Sequence, residues 1–143
     1  MTSSIFPDIN LWLALTYEKH IHNEAAVQWY GSLEPLPRFV FCRHTQMGLF
    51  RLLSNEAVLK QDVFDQLGCW QVYDRWMGSG LAVFAEEPAG LEYAMRAQTS
   101  TPMRTAKAWA DAFLAAFAET AGLTLVTFDK ALAGKTNGAI LLS

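Results

Sequence analysis

Short, uninterrupted apolar runs alternate along this chain with longer stretches of helical periodicity, and this alternation limits the fold more than any other feature. Four runs are typical of strands, "SSIF" (3–6), "RFVFC" (38–42), "GLAVFA" (80–85) and "LTLVTF" (123–128), and "GAILLS" (138–143) is typical of an edge strand. Strands that are apolar on both faces belong to a parallel sheet covered by helices on each side. The sequence therefore predicts the α/β class, as a three-layer α/β/α sandwich with a central, mainly parallel sheet.

The stretches between these runs predict helices. They cover residues 8–17, 22–33, 45–54, 61–77, 89–98 and 106–121. Asp8 is the expected N-cap of the first helix, because aspartate is a favoured capping residue. Pro7 is expected to end the first strand, because proline cannot donate to a sheet ladder. The last of these helices is strongly apolar, and its charged residues are Lys107, Asp111 and Glu119.

Length and composition predict one domain spanning residues 1–143 and exclude several classes of protein. A chain of this length with 52% hydrophobic residues can bury a substantial core. The 17% charged residues and the net charge of −3 exclude a disordered chain and a protein that coats nucleic acid, so any RNA contact must be local. Cys42 and Cys69 lie far apart, and no leader or spanning segment is visible. We therefore expect a reduced, cytoplasmic protein.

Three aspartates are expected to meet at one edge of the predicted sheet. Asp8 directly follows the first strand, Asp129 directly follows the fourth, and Asp111 lies early in the helix that leads into the fourth strand. The carboxyl ends of parallel strands form the functional edge of such sheets. Converging carboxylates repel one another unless a cation lies between them, and Mg²⁺ or Mn²⁺ prefers oxygen ligands. The sequence therefore predicts a catalytic metal site made of these three aspartates.

Each of these residues also has a purely structural interpretation. Asp8 and Asp129 alternatively cap the helices that follow them. Asp111 alternatively faces solvent, because periodicity alone does not settle which side of the helix is exposed. Thr127 is alternatively an ordinary strand residue, and Asn10 an ordinary polar residue of a first helical turn. The joint placement of the acids favours the metal site.

Several stretches resemble PIN-domain ribonucleases and, among them, the VapC toxins of bacterial toxin–antitoxin pairs. The stretches are "PDINLWLAL", "KHIHNEAAVQWY", "CRHTQMGLFRLLSN" and "ADAFLAAFAETAGLTLVTFDKAL", which together cover most of the chain. The resemblance implies an α/β/α sandwich and an endoribonuclease that needs Mg²⁺ or Mn²⁺, cleaves structured RNA such as tRNA or rRNA, and is neutralised by a VapB-like antitoxin. It also implies that Asp8, Asp111 and Asp129 bind the metal, with Asn10 and Thr127 in support.

One position departs from the family pattern. Many PIN domains carry a glutamate three residues after a Ser or Thr on the helix that follows the second strand, and here Gly48 lies three residues after Thr45. One tightly bound ion and a weaker second ion are therefore expected. Gly48→Glu is expected to strengthen the second site, provided that the longer side chain fits. The alternative function is a non-catalytic PIN-like module that binds RNA or protein through a degraded metal site.

Basic and aromatic residues complete the predictions. The candidates for contacts with RNA phosphates are Arg43, Arg51, Arg104, Lys107 and Lys130. A metal-free ribonuclease that uses His20, His22 or His44 is a weaker alternative. A phosphoacceptor receiver domain is disfavoured, because "SSIFPDIN" supplies one acid rather than a pair and "GAILLS" contains no lysine.

A homodimer is expected as well. The expectation rests on the aromatic residues of the early helices, Trp12, Trp29 and Tyr30, which are expected to be exposed. Trp109 is expected to pack in the core or at a dimer interface, with stacking on an RNA base as the alternative.

Overall fold

A computed structural model describes residues 4–143, so Ser3 of the predicted first strand lies outside the described residues. The described elements are β1 Ile5–Pro7, α1 Ile9–Thr16, α2 Asn23–Ser32, β2 Phe39–Phe41, α3 Arg43–Leu53, α4 Glu56–Leu59, a 3-10 turn Lys60–Asp62, α5 Gln66–Gly78, β3 Ala82–Phe84, α6 Leu91–Gln98, α7 Lys107–Ala121, β4 Thr124–Thr127, α8 Lys130–Gly134 and β5 Ile140–Leu141. The α/β prediction is confirmed.

The sheet has the strand order β3-β2-β1-β4-β5, and all four pairings are parallel. From β1 the chain builds outward through β2 to β3, and then returns to the other side of β1 with β4. The order therefore reverses between β1 and β4. In open α/β sheets this reversal opens a crevice at the carboxyl ends of the two central strands.

Successive strand residues supply two separate cores, one on each face of the sheet. On one face, Phe41 stacks on Trp12 of α1 with ring centroids 3.7 Å apart. On the other face, Phe6 stacks on Phe117 of α7 at 5.0 Å. This alternation follows from the two-residue period of a strand. Helices cover both faces, as a three-layer sandwich requires.

The aromatic residues expected at a dimer interface are not an exposed patch. Trp12 is fully buried, and Trp29 and Tyr30 are partly buried and pack against Phe39. That basis for a homodimer is wrong, because the apolar face of these early helices lies on the sheet. The expectation of a packed Trp109 within the chain is wrong as well, since 64% of this residue is exposed.

Element ends differ from the prediction where local hydrogen bonds override the pattern. β1 extends to Pro7. Proline has no N–H to donate, but the pairing of β1 with β2 has already ended before this residue, so the strand loses no hydrogen bond there. α3 begins at Arg43 rather than at Thr45, because the Thr45 hydroxyl accepts the N–H of Cys42, 3.0 Å away. α5 begins after Asp65, which caps it by accepting the N–H of Gly68 at 2.8 Å.

The stretch 56–62, partly included in the predicted helix 61–77, instead forms α4 and the 3-10 turn. Asn55 caps α4 by accepting the N–H of Ala57 at 2.9 Å.

Both cysteines are free and buried. Among residues 4–143, no helix is long and apolar enough to cross a membrane.

At Gly48, α3 lies directly against Ile9 of α1. A Cβ atom at this position would lie 2.2 Å from Cδ1 and 2.6 Å from Cγ1 of Ile9. Real Cβ contacts are longer, so any side chain at residue 48 must displace Ile9. Gly48→Glu therefore fits only if the side chain of Ile9, which is partly exposed, moves aside. Packing against Ile9 therefore explains why residue 48 is a glycine, independently of metal binding.

We predict that Gly48→Ala lowers the free energy of unfolding by about 1–3 kcal/mol, because the added methyl overpacks the α1–α3 contact. The matched control is Gly31→Ala in α2, where an added Cβ has no atom within 4 Å. Alanine there should raise stability by up to about 1 kcal/mol through helix propensity. Urea unfolding of both variants measures the difference, and equal effects would contradict the packing explanation.

Candidate active site

Asp8 and Asp129 each follow a strand and cap the helix that comes next. One carboxylate oxygen of Asp8, Oδ1, accepts the N–H of Leu11 at 2.8 Å, and Oδ1 of Asp129 accepts the N–H of Leu132 at 3.1 Å. The capping interpretation is confirmed for both residues. A cap uses only one oxygen, however, so Oδ2 of each carboxylate is directed by other partners. These helix starts thereby fix the position of both acids.

Thr127 connects the two carboxyl ends. Its buried hydroxyl donates to Oδ2 of Asp8, and its Oγ1 accepts the backbone N–H of Asp129 at 2.9 Å. Asp8 also donates its own N–H to the carbonyl of Val126 at 3.1 Å. The last residue of β4 therefore holds Asp8 and the chain at Asp129 together. Sequence reasoning named Thr127 only as a supporting residue, without this double contact.

Asp111 is buried on the first turns of α7, with 5% of the residue exposed, so the solvated interpretation is wrong. The ammonium of Lys107, one helical turn earlier, lies 2.7 Å from its Oδ2. The same ammonium lies 2.7 Å from Oδ2 of Asp129. The Lys135 ammonium lies 3.7 Å from Oδ2 of Asp111. Two of the three predicted acids, Asp111 and Asp129, thus contact the same cation, and that cation is the Lys107 side chain of the protein itself.

The environments of Asp8 and Asp129 shift the pKa values of these two residues in opposite directions. Burial raises the pKa of Asp8; hydrogen bonds from Thr127 and Leu11 oppose this, and the charges of Asp129 and Asp111 raise it further. The hydrogen bond from Lys107 lowers the pKa of Asp129. The shared contacts of Asp111 and Asp129 with Lys107, and of Asp8 and Asp129 with Thr127, bring the three carboxylates close in space. Even so, within residues 4–143 no group of three or more His, Cys, Asp and Glu side chains is arranged to hold a metal ion.

Asp8 and Asp129 line an open crevice of about 390 Å³. The other lining residues are Asn10, His20, Ile21, His22 and Phe128. Asn10 is exposed at the mouth of this crevice, as a supporting residue would need to be.

The histidines of the crevice wall were missed as neighbours of the acids. The ring of His22 stacks on Phe128 with centroids 4.3 Å apart, and Nδ1 of His20 accepts the N–H of His22 at 3.0 Å. Their place is set by the contact with Phe128, which no spacing in the sequence reveals. His44 lies elsewhere, against Phe113.

The family profile described as PIN domain matches residues 5–136. The chain belongs to the PIN-domain family. It is 38% identical over 128 residues to "Ribonuclease VapC41" of Mycobacterium tuberculosis, which covers 87% of this chain and 88% of that protein. The sequence prediction of a VapC-type PIN domain is confirmed.

Solved structures have the same PIN fold at low sequence identity. Mycobacterium tuberculosis VapC20, described as a "Sarcin-Ricin loop cleaving toxin", superposes with a TM-score of 0.63 at 15% identity, covering 91% of this chain and 93% of its own. PAE2754 from Pyrobaculum aerophilum gives 0.61 at 23% identity, covering 96% and 83%. A structure of FitAB bound to a DNA fragment gives 0.60 at 20% identity, covering 96% and 93%. These likenesses bear on the fold.

The basic residues proposed from the sequence are scattered around the PIN fold. Lys107 lies between Asp111 and Asp129, and Lys130 is exposed in the helix that Asp129 caps. Arg104 is exposed just before α7. Sequence reasoning missed Lys135, because its contact with Asp111 depends on how α8 packs rather than on any spacing.

Two arginines lie away from the acids. Nη1 of Arg43 donates to Oε1 of Gln46 at 2.6 Å, and its guanidinium lies 4.7 Å from the ring centroid of Phe84 in β3. Arg51 lines a different crevice, with Gly48 and Asn10. Only Asn10 is common to the two crevices, so Arg51 is a neighbour of the acidic crevice rather than part of it.

We predict that Thr127→Val lowers the free energy of unfolding by about 1–3 kcal/mol, because it leaves Asp8 without its buried donor and the N–H of Asp129 without its acceptor. Thr127→Ser keeps the hydroxyl and should lose less. Strand propensity alone favours valine over serine, so the two explanations predict opposite orders. Urea unfolding at pH 7 gives the order, and a more stable valine variant would rule out the bridging role.

Proposed function

We propose that this protein is an endoribonuclease toxin that depends on a divalent metal, with Asp8, Asp111 and Asp129 as the residues that hold the ion. The observation that carries the proposal is the convergence of Asp111 and Asp129 on one cationic nitrogen at the carboxyl ends of β1 and β4, beside Asp8. The similarity to a protein named a ribonuclease supports the reaction class.

The donor chemistry of the site fits a hard cation. The lysine nitrogen marks a point that Oδ2 of Asp111 and Oδ2 of Asp129 already share at 2.7 Å. Carboxylate oxygens are the ligands that Mg²⁺ and Mn²⁺ prefer, and Mg²⁺ keeps several waters, so few protein ligands suffice. Asp8 lies close enough to raise the local negative charge. We therefore propose Mg²⁺, with Mn²⁺ as the alternative.

Each residue of the site has a separate proposed role. A divalent ion, when bound, supplies a Lewis acid that polarises a phosphate oxygen and makes a water more acidic. Asp8, Asp111 and Asp129 would hold the ion, while Thr127 fixes the orientation of Asp8 through its hydroxyl. Asn10, exposed at the crevice, is placed to donate its amide to a phosphate oxygen. Lys130 and Arg104, both exposed, are proposed as outer contacts to the RNA backbone.

We propose that one ion suffices for this site. A second ion would need further negative charge, and the family position for a glutamate is taken by Gly48, which is packed against Ile9. Gly48 lines the crevice that also contains Arg51, and this crevice shares Asn10 with the crevice of Asp8 and Asp129.

The proposed substrate is structured RNA, such as tRNA or rRNA, and the proposed partner is a small VapB-like antitoxin. The support for both is the VapC relationship, and VapC20 is itself described as a toxin that cleaves the sarcin-ricin loop. We also propose a homodimer. Leu67 and Trp70, one turn apart on α5, are 66% and 47% exposed and offer an apolar face for association.

We predict that Asp8→Asn, Asp111→Asn and Asp129→Asn each lower metal-dependent RNA cleavage by about 100-fold or more, because each removes a charge while nearly keeping the shape. The matched control is Asp65→Asn, which changes another helix cap, that of α5, outside the crevice. It should retain activity. Total RNA incubated with Mn²⁺, with cleavage ends mapped by sequencing, gives the measurement and identifies the target.

Two outcomes would count against the assignment. Full cleavage by all three variants would place the metal site elsewhere. RNA binding without cleavage in the wild type, with or without Mn²⁺, would instead support a non-catalytic PIN-like module. Thermal unfolding of every variant separates loss of function from loss of fold.

We predict that the protein sediments as a dimer of 16.0-kDa chains at micromolar concentration, and that induced expression arrests growth unless an adjacent small gene product is expressed with it. Trp70→Glu should favour the monomer, because it introduces a charge into the proposed apolar face. Sedimentation velocity and growth curves test the two parts separately. A monomeric wild type, or toxicity unrelieved by the adjacent product, would contradict the corresponding part.

A further inference from the structure

Lys107 occupies the point at which the two carboxylates meet. It is the first residue of α7, so its side chain reaches along one turn of the helix to Asp111 and, beyond the helix, to Asp129. Both nitrogen–oxygen distances are 2.7 Å, as expected for charge-assisted hydrogen bonds. Lys135 is a more distant second cation, at 3.7 Å from Asp111. One ammonium therefore neutralises two acids that come from different parts of the chain.

This contact has a clear role in the folded protein. Asp111 is buried, and a buried carboxylate without a counter-charge is strongly destabilising. The approach of Asp129, and of Asp8 behind it, adds repulsion. The Lys107 ammonium removes both costs without any ligand. The chain thus carries its own cation for a site whose oxygens suit a metal.

We infer that Lys107 is an internal counter-cation that competes with the divalent ion for Oδ2 of Asp111 and Asp129, so that the ion binds only when the ammonium moves away. The inference rests on the proposed metal site. An ammonium hydrogen-bonded to both oxygens and an ion coordinated by the same oxygens would be two like charges within a few ångströms, and such an arrangement is unfavourable. Occupancy by one excludes the other.

The side chain of Lys107 is suited to exchange. It is 59% exposed, whereas the Asp111 side chain is 8% exposed, so the ammonium can leave for solvent while the carboxylate remains in place. The four-carbon chain of lysine is flexible, so the ammonium can swing out to solvent without moving the backbone. Lys107 thereby lowers the affinity for metal without blocking the site, and keeps the metal-free protein folded.

The test is calorimetric titration of MnCl₂ into the metal-stripped wild type, Lys107→Met and Lys107→Arg. Methionine keeps the length of the side chain and removes the charge, so the affinity for Mn²⁺ should rise about three- to tenfold. Arginine keeps the cation and should bind Mn²⁺ no more tightly than the wild type. Lys107→Gln is a second neutral variant in case the methionine variant folds poorly. In EDTA, the neutral variants should melt at a lower temperature than the wild type, and saturating Mn²⁺ should remove that difference.

Lys130→Met is the matched control for overall charge. It removes the same unit charge from a lysine at the helix capped by Asp129, and should change Mn²⁺ affinity less than about twofold. An unchanged or weaker affinity in Lys107→Met, or an equal gain in Lys130→Met, would overturn the competition while leaving the metal site standing. No Mn²⁺ binding by the wild type or by either neutral variant, or an Asp111→Asn variant that binds as well as the wild type, would overturn the proposed site and the competition together.

Discussion

The parallel pairing of β1 with β4 is the contact on which the candidate site depends. It aligns Pro7 with Val126, so that the residues after the two strands leave the same edge of the sheet. Thr127 then joins them, through its hydroxyl to Asp8 and through the N–H of Asp129. If β1 and β4 were not neighbours, at least one other strand would lie between Asp8 and Asp129. The concentration of negative charge is a direct result of the strand order.

In two of the carboxylates, one oxygen caps a helix and the other contacts a different side chain of the candidate site. In Asp8 and Asp129, Oδ1 accepts a backbone N–H at a helix start, while Oδ2 is left to Thr127 or Lys107. From the sequence, capping and metal binding look like alternatives, but the geometry makes them compatible. A cap holds the carboxylate in one orientation, which is what a preorganised binding site requires.

The sequence predicted the strands, the first helix cap and the meeting of the three acids at one edge of the sheet, because apolar runs and caps are local signals. It failed where distant residues meet. Lys107 and Asp111 are one turn apart and can be paired from spacing, but the contact of Lys107 with Asp129 depends on how α7 packs beside β4. Ile9 filling the space at Gly48 and His22 stacking on Phe128 are similar cases. The aromatic residues of the early helices misled the interface prediction, because periodicity identifies an apolar face without saying what covers it.

The capping role of Asp8 and Asp129 also bears on how such a protein can change over evolutionary time. Asparagine caps a helix about as well as aspartate, and it relieves repulsion in a crowded acidic pocket. At the proposed metal site, a single substitution at either position would therefore remove a ligand while sparing the scaffold. Descendants of this domain can drift from enzyme to mere binding surface without passing through an unfolded intermediate. Inactive relatives with intact folds should be common wherever capping and ligation share a side chain.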